Sequence, residues 1–435
     1  MPPLPARGRR IKPLNELTAT EVVAAISEGR TTCEAVVRAC LDRIAARESE
    51  VHAWAHLDPE AALASARAFD KDSKHGPIGG VPFGAKDIID TFDMPTEWGT
   101  PIHQGRQPER DAACVALSRK AGGILLGKTV TTEFANLYPG PTRNPHDLTR
   151  TPGGSSSGSA AAVADFMVPL AIGTQTTGST IRPASFCGVF GYRPTYGEHR
   201  MHGIMEASGS LDTLGILSRS VADIALYRDV LLGIPSEPMP TIKRPHFALC
   251  RSHVWDQFEP ATRTLIEDAT HRLARGGARV TELTLPAEFE LLNDAHRSIS
   301  SFEFARTFTW EIENRWNDIS DTLRGGRLRD GITGSFKHYI EAKQLADECR
   351  RRLDALMGGI DVLLTPAAFG EAPAGMPAFA GVPLFQIWTT LHVPAVSIPV
   401  FKGPAGMPIG AQLIAKRHDD RKLFACAQWA FEKLT

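Results

Sequence analysis

Two hydroxyl-rich turns and one lysine in an uncharged setting are the parts of this chain equipped for chemistry. The first turn lies in RTPGGSSSGS (150–159), where small residues crowd in front of a helix-forming run, AAAVADF (160–166). Small residues let backbone N–H groups approach a substrate, and a helix N-terminus favours developing negative charge. The second turn, TQTTGS (174–179), follows the apolar run VPLAIGT (168–174) and precedes Ile181, Arg182 and Pro183. A serine beside glycine at the end of a buried strand is well placed as a nucleophile, with flanking N–H groups for an oxyanion. Ser179 is that serine. It needs a base, and Lys86 stands upstream at the end of the uncharged run GGVPFGAK (79–86). Burial disfavours an ammonium and lowers a lysine pKa, so a neutral Lys86 could accept a proton. An ion pair with the adjacent Asp87 is the structural alternative.

Other readings of these segments are weaker. A flexible linker fits GGSSSGS by composition, but helix and strand patterns follow it at once. A phosphate-binding loop would require Gly-Lys-Ser/Thr to follow this run, and none does. GSSSG (154–158) formally matches GxSxG, with Ser156 as nucleophile and His392 as a downstream partner. Cys187 lies in the apolar SFCGV and reads as core. His199 and His202 have no metal-ligand partners at useful spacing and read as solvated loop positions, so no metal is expected.

Taken together, these residues resemble the amidase signature hydrolases. The resemblance runs from LDRIAARESEVHAWAHLD (41–58) through GPIGGVPFGAKDIID, GKTVTTEFA, the Gly/Ser centre and SLDTLGILSRSVAD (210–223) to DVLLTP, VPAVSIPV and MPIGAQLIA. It implies a Ser–cis-Ser–Lys triad on one large mixed β-sheet wrapped by helices, an α/β fold. Lys86 matches the base, Ser155 the bridging serine preceded by a cis peptide, and Ser179 the nucleophile. Backbone N–H groups around Thr176, Thr177 and Gly178 match the oxyanion hole. The implied chemistry is acyl transfer with no metal or organic cofactor. It acts on a small-molecule amide and releases a carboxylate with ammonia or an amine. One component of a glutamine-dependent amidotransferase, which passes ammonia to partner chains, and an inactive binding relative are the alternatives. A homodimer is one option for the assembly.

Three departures from the family's Asp-Thr-Gly-Gly-Ser-Ile-Arg-x-Pro block carry consequences. Gln175 replaces an acid. Thr177 replaces a glycine, which is costly if the position needs positive φ. Arg182 stands three residues after Ser179 instead of two, and on a helical turn such residues share a face. That arrangement resembles the malonamidase-like branch. It makes Arg182 a candidate clamp for a substrate carboxylate, as on malonamate, with a structural ion pair as the alternative.

The elements that must position these groups are legible in outline. Thr18-x-x-Glu21 and Thr31-x-x-Glu34 read as capping boxes opening two helices, and 59–70 as a third. Residues 111–121 read as a helix and 122–129 as a buried strand; 280–285, 361–366, 393–400 and 409–415 are strand candidates, and 420–434 a closing helix. Strands separated by helices argue α/β. Residues 1–14 read as an arm and 15–435 as one domain, with N-terminal helices over 15–58, the signature core over 76–225 and a helical cap over 287–350. In that cap Phe302, Glu303, Phe304, Trp310 and Trp316 read as packing, with pocket walls as the alternative. The 48 basic and 49 acidic residues nearly cancel, to a formal charge of −1, so there is no global basic field to draw nucleic acid or an anionic membrane. The seven cysteines show no CxxC pair and read as buried thiols in a reducing cytoplasm. No signal peptide or transmembrane run is apparent.

Overall fold

The computed structural model describes residues 12–72, 76–376 and 386–435. Most of the expected N-terminal arm lies outside the described residues. The fold is built on one sheet. Its strands are β1 (Trp54–Leu57), β2 (Pro82–Lys86), β3 (Ile124–Thr129), β4 (Leu170–Gln175), β5 (Phe190–Arg193), β6 (Thr213–Ser218), β7 (His246–Cys250), β8 (Arg279–Leu283), β9 (Val362–Pro366), β10 (Ala395–Lys402) and β11 (Pro408–Ile414). They line up in the order β1-β3-β2-β4-β6-β5-β10-β11-β9-β7-β8. Parallel pairing at β3-β2-β4 and β9-β7-β8 and antiparallel pairing elsewhere make it mixed. This is the single large α/β sheet wrapped by helices that the sequence predicts.

β2 and β4 position the site. Both are buried along their whole length, which explains their continuous apolar character: strands covered on both faces have no polar side to alternate with. They run parallel, with Ala85 beside Ile172, so Lys86 and the turn after Gln175 emerge at the same C-terminal edge. In open α/β sheets that edge is where ligands bind. The helix Ser157–Ala164 begins directly behind Ser155 and Ser156. It lies so close to the sheet that a Cβ on Gly158 would stand 2.2 Å from Ala53 O and 2.4 Å from Val130 N. Only glycine fits there, and this contact seats the loop containing Ser155.

Residues 287–350 are mostly helical. The main pieces are Leu292–Thr307, Thr309–Asn314, Arg329–Thr333 and Phe336–Leu356, the last running past the expected boundary. Leu292–Thr307 packs on both Phe336–Leu356 and the short helix Gln386–Thr390. The aromatic expectations there divide. Phe304 is buried in the core, but Trp310 and Trp316 are exposed. Phe302 stacks on Tyr339 with ring centroids 4.5 Å apart.

The capping box at Thr18 forms with both of its bonds. The second does not. The cap is Thr32, whose hydroxyl accepts from Ala35 N–H, and Glu34 instead pairs with Arg38 and Arg67. Adjacent threonines offer two caps, and the nearby arginines draw the carboxylate away. All seven cysteines are buried and free. Among the described residues no helix is long and apolar enough to cross a membrane.

One buried ion pair braces β2 against β3. Lys128 Nζ lies 3.1 Å from Asp87 Oδ1 and also donates to Pro95 O and Thr96 Oγ1. Burial lowers the Lys128 pKa and raises that of Asp87. Both shifts run toward neutrality, so desolvation outweighs the pair's attraction. Removing one partner alone, as in Lys128→Met, is therefore expected to lower unfolding free energy by about 3–5 kcal/mol. Adding Asp87→Leu to it should recover much of the loss. Urea unfolding of the two variants checks this; equal losses in single and double variants would contradict it.

Candidate functional site

Lys86 is fully buried at the end of β2. Its Nζ lies 2.7 Å from Ser155 Oγ and 2.8 Å from Thr174 Oγ1. Burial pulls its pKa down to about 7, while the charge of Asp212 works in the opposite direction. The expected alternative, an ion pair with Asp87, does not form. Successive strand residues point to opposite faces, and Asp87 is taken by Lys128 on the other side.

The Gly154–Ser155 peptide is cis. The segment it introduces lies against the second turn: Ser156 N–H donates to Ser179 O at 3.2 Å. Lys86 thus meets Ser155 directly, and the residue after Ser155 meets the backbone of Ser179. Thr132 N–H donates to Ser155 O at 3.4 Å.

The departures in the second turn each find a structural role. Gln175 Oε1 accepts from the N–H groups of Thr180 and Ile181, at 2.9 and 3.1 Å, and so caps the helix Ile181–Cys187. An acid could accept these bonds equally well, but the amide also donates, reaching Thr389 Oγ1 at 3.5 Å. Thr177 does not have positive φ; the described non-glycine residues that do are His52, Trp98, Phe134, Ala135, Phe166, His392 and His418. The anticipated cost of a β-branched residue therefore does not arise. Thr176 Oγ1 donates to Asp212 Oδ1 at 2.5 Å. Asp212 is itself held by the N–H groups of Ala207 and Ser208. Arg182 Nη2 donates to Gly154 O at 2.6 Å, immediately before the cis peptide, and Arg182 N–H donates to Gly178 O at 3.0 Å. Burial lowers the pKa of Arg182 to about 10, which leaves it charged at neutral pH.

The competing assignments come apart. Ser156 Oγ is engaged with the backbone of Thr174, donating to its carbonyl and accepting from its N–H. His392 is elsewhere, stacked on Tyr196 and in contact with Ser210 O and Arg350. Cys187 is buried, with its Sγ toward Pro152 O and its thiol pKa raised by burial. His202 is exposed, but His199 is not the solvated residue expected. It is buried, and its pKa falls to about 4. The grouping of potential metal ligands found among the described residues is His56, Asp87 and Glu97. Asp87 there already serves Lys128 and Glu97 N–H.

Sequence reasoning does not single out Thr174, Asp212, His296 or Thr389. Thr174 is within its reach, because it lies in a strand whose apolar run is plain in the sequence. His296 and Thr389 contact the turn across separations of 120 and 212 residues, with no local signal in either segment.

Comparison with known proteins agrees with this arrangement. The family model described as Amidase matches residues 35–424. A glutamyl-tRNA(Gln) amidotransferase subunit from Chloroflexus aggregans is 32% identical over 474 aligned positions, covering 97% of each chain. Its counterpart of the same name from Streptomyces avermitilis is 44% identical over 476 positions, covering 94% of this chain and 93% of its own. A solved amidase structure superimposes with a TM-score of 0.89 at 30% identity, over 96% of this chain and 100% of that one. The chain belongs to the amidase signature family, enzymes that hydrolyse amide C–N bonds.

Proposed function

We propose that this chain hydrolyses a small amide through an acyl-enzyme on Ser179, with Ser155 carrying the proton and Lys86 as the base. The observation that carries the reading is the 2.7 Å bond between Ser155 and a fully buried Lys86 whose pKa burial has brought to about 7. In its neutral form the amine takes the Ser155 proton while Ser155 takes that of Ser179. Ser179 Oγ adds to the amide carbonyl, and the resulting oxyanion lies against the N–H groups of the Thr176–Gly178 turn. The relay returns its proton to the nitrogen, the C–N bond breaks, and ammonia or an amine departs. Water then adds to the ester by the same path and frees the acid from Ser179.

A second reading has specific support. Two of the relatives above, aligned over nearly their whole length, are named as amidotransferase subunits. In that reading the chain would release ammonia from glutamine for partner proteins. The first reading expects the purified chain alone to release ammonia from short amides. It also expects a fluorophosphonate to label Ser179, and Ser179→Ala to lose nearly all turnover with its fold intact. Ammonia release only from glutamine, and only with partner proteins added, would favour the second.

Because the neutral amine is the base, kcat/KM is expected to rise with pH through about 7 and level off above it. Lys86→Ala should lose roughly 10²–10⁴-fold in rate together with that limb, the range for general-base catalysis. A profile unchanged in the variant would contradict the relay.

The substrate's acyl part is the finer question. A malonamate-type substrate rests on Arg182 as a carboxylate clamp, and neither named relative points to one. The bond from Arg182 to Gly154 O favours a positioning role beside Ser155. Arg182→Ala is therefore expected to slow carboxylated and neutral amides alike and to lower the melting temperature. A loss confined to carboxylated amides, of about ten-fold or more, would restore the clamp.

A further inference from the structure

Every carbonyl oxygen from Thr174 to Ser179 is occupied. Thr174 O accepts from Ser156 Oγ and Thr180 Oγ1, and Gln175 O from Thr213 Oγ1. Gly178 O accepts from Arg182 N–H and Ser179 O from Ser156 N–H. These donors all lie nearby in the core. The two carbonyls in the middle are held by side chains from distant helices. His296 Nε2, on the helix Leu292–Thr307, donates to Thr176 O at 3.0 Å. Thr389 Oγ1, on the helix Gln386–Thr390, donates to Thr177 O at 2.9 Å. His296 is buried and its pKa is lowered to about 4, so at working pH the ring carries one proton. A carbonyl can only accept, which puts that proton on Nε2.

In a planar trans peptide the C=O of one residue and the N–H of the next point in opposite directions. Anchoring Thr176 O and Thr177 O on one side turns the N–H groups of Thr177 and Gly178 to the other. Among the described residues, these N–H groups and that of Ser179 meet no protein acceptor. Two adjacent donors are thus aimed away from their anchors, next to Ser179 and without a partner among the described residues.

We propose that His296 and Thr389 are positioning residues for the reaction, fixing the two peptide planes whose N–H groups receive the oxyanion. This rests on the reading of Ser179 as nucleophile. It gives the 287–350 helices a part in the chemistry: one of them supplies an anchor for the oxyanion turn. Thr389 is in turn placed by Gln175 Nε2. Preorganised donors act on the transition state more than on bound substrate, so loss of an anchor should appear in kcat and leave KM nearly unchanged.

The test uses the full chain and a short amide on which the parent protein releases ammonia. Thr389→Val keeps the shape and removes the donor. It is expected to lower kcat by about ten- to a hundred-fold, below the 10²–10³-fold loss of an oxyanion donor itself. KM should change by less than about three-fold and the pH midpoint set by Lys86 should stay in place. Thr389→Ser restores the donor and should recover most of the loss. His296→Phe should behave like Thr389→Val, and His296→Gln, which can still donate, should do better. Full kcat in both Thr389→Val and His296→Phe would overturn the proposal, as would failure of serine to rescue position 389. A loss divided between kcat and KM and matched by a fall in melting temperature would also overturn it. Ser179→Ala run alongside separates the two levels. If Ser179→Ala is inactive while Thr389→Val is unimpaired, only this inference falls; if Ser179→Ala is fully active, the nucleophile assignment falls and takes the inference with it.

Discussion

Lys86 closes a strand that has a neighbour on each side and is buried along its whole length, so its ammonium is cut off from bulk solvent. Its hydrogen-bond partners are hydroxyls, those of Ser155 and Thr174, which accept from the ammonium without supplying a counter-charge. That imbalance brings the amine to about 7. The architecture around it follows from keeping this state: a small-residue loop close enough to place Ser155 on the amine, and a glycine that lets the helix behind that loop press against the sheet.

A second buried lysine shows what the imbalance means. Lys128 lies on the neighbouring strand, equally buried, but it meets the carboxylate of Asp87 along with two further oxygen acceptors. The two lysines share a sheet and a depth, yet one is braced in an ion pair and the other is left among hydroxyls. The alternation of strand side chains separates them: Lys86 and Asp87 are adjacent in sequence and face opposite ways. In the acyl-enzyme reading, this separation is what leaves Lys86 free to serve as a base.

The turn carrying Ser179 is held by many contacts from outside it. Its departures from the family block are accommodated by them: Gln175 caps the following helix and reaches Thr389, and Thr177 keeps an ordinary φ with its carbonyl anchored. Asp212 holds Thr176 from the side, and Glu303 ties the helix that carries His296 to Ser208 and Ser210. A helix that reads in the sequence as part of a cover, Leu292–Thr307, is hydrogen-bonded to the turn itself.

The sequence alone was enough for the α/β class and for most strands and helices, and it offered Lys86, Ser155 and Ser179 as a set, of which Lys86 and Ser155 share a hydrogen bond. Buried strands advertise themselves by unbroken apolar runs, and the Gly/Ser-rich loops are local features whose chemistry is carried by residue type. Local reading failed where two neighbours compete for one role, as with Thr31 and Thr32, and where burial depends on what packs from afar, as with His199 and Trp310. Which way Lys86 faces, and therefore whether it meets Asp87 or Ser155, was decided by the pairing of β2 with β3 and β4. The partners of the turn were beyond reach for the same reason. His296 and Thr389 are ordinary residues in ordinary helices, and a hydrogen bond across 120 or 212 residues leaves no periodicity, spacing or composition to read. Only the packing of those helices against the sheet brings their donors to the carbonyls, because the contact belongs to neither segment until both are folded.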